Sequence, residues 1–159
     1  MTALVAIAAV GGFSTFASAE PPSAPQPSEG MPYAVEDFNY PGADRIQATE
    51  GIKLKRGDGH ILLAECDPQA DQIRVLTVAD AGAGRRGTYC FEATSTSGYL
   101  TLELPRVFAL EAGENPISAD LTAGGQTRTV DVPEGGFEPV GEGTVGGAQS
   151  VLVEIRVTG

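Results

Sequence analysis

The sequence predicts an all-β domain: an antiparallel β-sandwich or flattened barrel of about eight or nine short strands, held by one disulfide. Three observations predict it. From Asp44 onward apolar residues recur with a period of two in short runs. Glycine, proline and acidic turns separate these runs. No stretch after residue 19 carries the helical period.

The chain begins with a segment that is not part of that domain. Met1 to Ala19 carries no charge, is apolar through Phe13, and closes on Ala17-Ser18-Ala19, the small-x-small pattern of a signal-peptidase site. The expectation is cleavage after Ala19 and export, although the basic residue that opens a complete signal peptide is missing. Gly11, Gly12, Ser14, Thr15 and Ser18 interrupt the apolar run too often for a membrane span. The residue after the expected cleavage site is Glu20, not the cysteine that a bacterial lipid anchor requires. Residues 20–41 begin as a proline-rich polar stretch and are expected to be an extended linker, with Tyr33 to Tyr40 packing on the domain edge. The domain is then residues 42–159.

Within it, Ile52 and Leu54 alternate with Lys53 and Lys55, and a Gly57-Asp58-Gly59 turn is expected to fold this strand back on Ile61 to Cys66 as a hairpin. Because both faces of the second arm are apolar, it is expected inside a sheet. Ile73 to Val78 is the next strand, followed by a loose loop from Ala79 to Gly87 and a strand from Tyr89 to Ala93. Tyr99 to Leu104 alternates cleanly until Pro105 interrupts it, which predicts a bend or sheet switch before Val107 to Leu110. Ile117 to Leu121 and Gln126 to Val132 flank Gly124-Gly125 as a hairpin. Residues 133–150 read as a glycine-rich loop, and Val151 to Val157, β-branched at every odd position, is the strongest strand signal.

An apolar fraction of 42% is enough for a real core, and the formal charge of -11 repels nucleic acid and anionic membranes. Two cysteines in an exported chain are expected to pair, so Cys66 and Cys90 predict a structural disulfide. Closing that loop stabilises by roughly 3 kcal/mol in the loop-entropy picture. Their spacing is not that of a redox Cys-x-x-Cys pair.

Arg56-Gly57-Asp58-Gly59-His60-Ile61-Leu62-Leu63-Ala64-x-Cys66, Gly98-Tyr99-Leu100-Thr101-Leu102-Glu103-x-Pro105 and Val153-Glu154-Ile155-Arg156 resemble segments of small secreted proteins of actinobacteria that have no assigned activity. The resemblance runs from Asp44 to Val157. It implies export and a stapled β-domain, and no catalytic chemistry.

The rare residues set the candidate sites. Asp58 and His60, the only histidine, flank Gly59, with Glu65 and Asp67 nearby in sequence. A metal-binding or hydrolytic centre there needs convergent ligands, which a lone histidine in a turn does not supply, and the simpler expectation is turn geometry. Arg56-Gly57-Asp58 is an adhesion tripeptide placed at the expected hairpin tip. Arg85 and Arg86, in the loop between the two cysteines, are where a secreted serine-protease inhibitor would present its basic residue, against the expectation of a solvated loop. Gly141 to Gly146 fits G-x-G-x-x-G but lacks the following helix that dinucleotide binding requires, so its glycines are assigned to loop flexibility. No Gly-x-Ser-x-Gly elbow accompanies the histidine, and the absence of Trp leaves little for sugar stacking. The expectation is therefore a non-enzymatic exported binding or structural module with no cofactor, whose partner is an extracellular protein or cell-wall component.

Overall fold

A computed structural model of the chain describes residues 38–159, so the signal segment and the linker as far as residue 37 lie outside the described residues. Nine strands are present in that region: β1 Lys53–Gly57, β2 Ile61–Ala64, β3 Ile73–Thr77, β4 Thr88–Ala93, β5 Ser97–Glu111, β6 Ile117–Ala123, β7 Gln126–Val132, β8 Phe137–Pro139 and β9 Ser150–Thr158. All pair antiparallel in an unclosed sheet ordered β2-β4-β3-β5-β9-β6-β7, with β1 and β8 also on β5. This is the all-β, sandwich-like architecture the sequence predicts.

The fold is organised by β5, which serves two half-sheets. Its first half pairs with β1, from Gly57↔Leu100 to Lys53↔Glu103, and with β9. Its second half pairs with β3, from Thr77↔Val107 to Arg74↔Glu111, and with β8. Both halves feed one apolar cluster that includes Leu54, Leu102 and Ile155 from one side and Ile61, Val75 and Phe91 from the other. The switch occurs at Pro105 and Arg106. Proline has no N–H to give a ladder, and Arg106 takes a left-handed φ of 62° while its carbonyl accepts from Val78 N at 3.0 Å. The bend expected at the proline is there, but it sits inside one continuous strand.

Four other expectations need correction. A short helix, α1 Ala43–Glu50, precedes β1. Its residues are good helix formers, yet Ile46 is the only large apolar side chain in it, so it shows no amphipathic period to detect. Second, β1 and β2 form no hairpin. β1 pairs with β5 and β2 with β4, because Gly57 to His60 carries the chain from one half-sheet to the other. Third, β2 lies at the end of the strand order, with Ile61 buried and Leu62 38% exposed. Its second apolar face marks a surface depression with Phe38, Tyr40 and Pro41, not a second layer. Fourth, residues 133–150 contain β8, which holds the end of β5. The strand expected at Val151 to Val157 is present as β9, with an irregularity inside it. The pairings with β5 and β6 shift between Leu152 and Glu154, so the buried set changes parity from Ser150 and Leu152 to Ile155 and Val157.

Phe38 to Tyr40 run along β1: Gly57 N donates to Phe38 O, Tyr40 N donates to Lys55 O, and Leu63 N donates to the Tyr40 hydroxyl at 2.7 Å. The predicted disulfide is present, linking Cys66 just beyond β2 to the fully buried Cys90 of β4 with a Cα–Cα distance of 5.1 Å.

Candidate functional site

The crossover between β1 and β2 places Asp58 and His60 together, and the carboxylate is engaged by backbone. Tyr99 N donates to both Asp58 oxygens at 3.2 Å, His60 N donates to Oδ1 at 3.1 Å, and Asp58 N returns a bond to Tyr99 O. The imidazole Nδ1 stands 3.4 Å from Oδ2, with the ring about half exposed. A Cβ on Gly98 would come within 2.6 Å of His60 Cβ, so a side-chain-free residue in β5 is what lets the turn lie against the strand. The geometry is that of an aspartate-bonded turn fastened to β5. Glu65 and Asp67 are not part of it. Glu65 reaches toward Arg86, and Asp67 closes its own turn by accepting from Gln69 N. Among the described residues, no group of three or more His, Cys, Asp or Glu side chains is placed to hold a metal ion.

The tripeptide Arg56-Gly57-Asp58 does not project from a tip, because no hairpin forms there. Arg56 N donates to Thr101 Oγ1 within the β1–β5 ladder, and its guanidinium lies 5.9 Å from the Phe38 ring centre.

The loop carrying Arg85 and Arg86 is built, not loose. Asp80 Oδ1 accepts from Gly82 N and Ala83 N, nucleating a single 3-10 turn, Ala81–Ala83. The side chain of Arg85 is only 9% exposed, with Nε donating to Val78 O at 2.8 Å and the guanidinium 3.6 Å from Asp80. Arg86 pairs with Glu50 at 2.9 Å and lies over the Tyr89 ring at 5.2 Å. The Tyr89 hydroxyl accepts from Arg86 N and donates to Glu50 O, and burial pushes its pKa up, so it stays protonated and able to donate. Neither arginine is offered as a free protruding side chain.

The G-x-G-x-x-G segment opens with a 3-10 turn, Gly141–Gly143, whose two glycines are there for closeness, while Gly146 has open space around it at φ 73°. A Cβ on Gly141 would collide with the Ser150 side chain, and one on Gly143 with the Phe108 carbonyl. Between them Glu142 holds Arg106 through two bonds of 2.6 and 2.7 Å, which keep the Glu142 carboxyl below its usual range.

Neither a protein-family model nor a curated protein sequence matches this chain. What the sequence reading overlooked lies at the other end of the strand order. A depression of about 410 Å³ opens between the inward face of β6–β7 and the β8–β9 connection, lined by Leu121, Gln126, Arg128, Val130, Pro139 and Val140 among others. Arg128 is exposed there and forms no ion pair among the described residues. The available signal was the unbroken alternation in Gln126 to Val132, read only as a hairpin arm.

Proposed function

We propose that this is an exported β-domain acting as a non-enzymatic binding or structural module outside the cell, with an extracellular protein or a cell-wall component as its partner. The observation that carries the reading is the employment of the polar candidates. Asp58 bonds backbone N–H groups, Arg85 braces its own loop, and Arg86 joins α1 to Tyr89. These residues are occupied in building the domain, which leaves its surfaces as the means of action. The signal-like segment, the Cys66–Cys90 bridge and the resemblance to secreted actinobacterial proteins support an oxidising, extracellular destination. No helix among the described residues is long and apolar enough to cross a membrane.

The test is affinity capture with the full chain on beads, using culture supernatant and cell-wall fractions of the source cells. Selective retention of one component, displaced by free protein, is the expected result. Hydrolase activity toward peptide, ester or glycoside substrates that is lost in His60→Ala would overturn the reading. Stoichiometric inhibition of trypsin or subtilisin by micromolar protein would replace it with the inhibitor reading.

A further inference from the structure

The geometry points to β7 as a docking edge for an extended peptide strand carrying the pattern apolar-x-acidic. This deepens the binding-module reading and rests on it. Gly124 and Gly125, at φ 57° and 80°, form a two-residue turn of the primed kind, which makes Ala123↔Gln126 a hydrogen-bonded pair. Register then alternates without a shift as far as Ile117↔Val132. Gln126, Arg128, Val130 and Val132 therefore aim their N–H and C=O groups at β6, while Thr127, Thr129 and Asp131 aim theirs outward. The contacts between Thr122 and Thr127 at 2.8 Å and between Asp120 and Thr129 at 2.6 Å fall on the closer, non-hydrogen-bonded pairs, as that alternation requires.

β7 ends the strand order, and no described residue bonds its outer edge. Elsewhere the molecule shields or shortens its edges: Phe38 to Tyr40 lie along β1, the Tyr40 hydroxyl takes a donor of the four-residue β2, and β8 has three residues. The seven-residue β7 has no bulge against β6, no lysine and no internal proline; against strand addition it carries only the charges of Arg128 and Asp131, which a partner strand of complementary charge can satisfy.

The side chains choose the occupant. An added antiparallel strand sets its non-hydrogen-bonded residues opposite Val130 and Arg128, on the face that looks over the depression. An apolar residue suits Val130, and an acidic residue two positions later suits the unpaired Arg128. A second copy of the chain fits less well. The symmetric register that pairs the outward residues sets Thr129 against Thr129 and Arg128 against Val130, leaving the arginine without a carboxylate between two chains that each carry -11.

The probe is the acetylated, amidated hexapeptide Ile-Thr-Val-Thr-Glu-Thr, titrated into the full chain labelled for amide NMR. Expected are shifts centred on the amides of Thr127, Thr129 and Asp131, saturating by about 1 mM peptide. N-methylation of the three threonine amides of the peptide should weaken binding at least about tenfold, and N-methylation at Val and Glu should not, because those amides face away from β7. Arg128→Glu should weaken the Glu peptide about tenfold and favour a Lys-for-Glu peptide instead. Thr129→Pro, which removes an outward N–H together with the hydroxyl that donates to Asp120, should lose the peptide, whereas Thr129→Val, which removes the hydroxyl and keeps the N–H, should retain it. Absence of shifts at 1 mM, or equal loss from both methylation patterns, overturns the edge site. So does concentration-dependent dimerisation that Thr129→Pro abolishes, since the occupant is then a second copy. If capture of an external component succeeds equally with wild type and Thr129→Pro, the edge site falls and the binding-module reading stands.

Discussion

Removing the Asp58 carboxylate leaves the N–H groups of His60 and Tyr99 without their acceptor. Asp58→Ala should therefore lower unfolding free energy by about 1–3 kcal/mol, whereas His60→Ala, on a half-exposed ring, should stay within about 0.5 kcal/mol. Urea denaturation of the two variants checks the ranking; a large loss only in His60→Ala would reverse the assignment of roles. Asp120 gives a pH prediction. The Thr129 hydroxyl and then Arg156 hold its pKa below 3.8, so the folded value lies under the unfolded one. Its contribution is complete above about pH 4 and disappears as pH falls through the folded value. Stability measured between about pH 5 and pH 2 should accordingly decline less steeply in Asp120→Asn. At this scale the sequence was a partial guide. It singled out Asp58, His60, Arg85 and Arg86 because they are rare or adjacent, but rarity does not tell which backbone groups a side chain will meet. Tyr99, forty-one residues from Asp58, is what turns that aspartate into a fastening.

Arg106 shows how an element depends on one backbone angle. A left-handed arginine is held there by Glu142, so Arg106→Gly relieves the backbone while losing the ion pair, and Arg106→Ala loses the pair and keeps the strain. Arg106→Ala should be less stable than Arg106→Gly by about 1 kcal/mol in thermal unfolding. The disulfide acts at the same scale. Cys66→Ala with Cys90→Ala should cost about 2–4 kcal/mol, and intact mass after alkylation with and without reductant should show two thiols only in the reduced chain. Most strands were legible, because alternation is a local property: β3, β4, β6, β7 and β9 lie close to where periodicity places them. Pairing was not. The Gly57-Asp58-Gly59 stretch has hairpin composition, yet Leu54 is claimed by Leu102 and Ala64 by Cys90, partners far away in sequence. The helix was missed for the opposite reason: at eight residues with one large apolar side chain, α1 is set by its flanking left-handed Gly42 and Gly51 and by the sheet beneath it.

At the scale of the whole molecule, the sheet is built around strands that are distant in the chain. β5 touches β1, β3, β8 and β9, and β9 lies between β5 and β6 with Leu152 and Ile155 fully buried. Each of those side chains contributes about 1.5–3 kcal/mol of burial, so a chain cut before Ser150 should lose its cooperative unfolding transition altogether. Circular dichroism of that truncation against the full chain decides it. The order in which a ribosome delivers the strands gives this arrangement a further meaning. A strand inserted into the middle of the sheet, yet following both of its neighbours along the chain, leaves β5 and β6 without their shared partner until it is delivered. Completion of the sheet thereby depends on contacts of long sequence separation, between Ser150–Thr158 and the strands on either side of it, and refolding is expected to be paced by that non-local pairing.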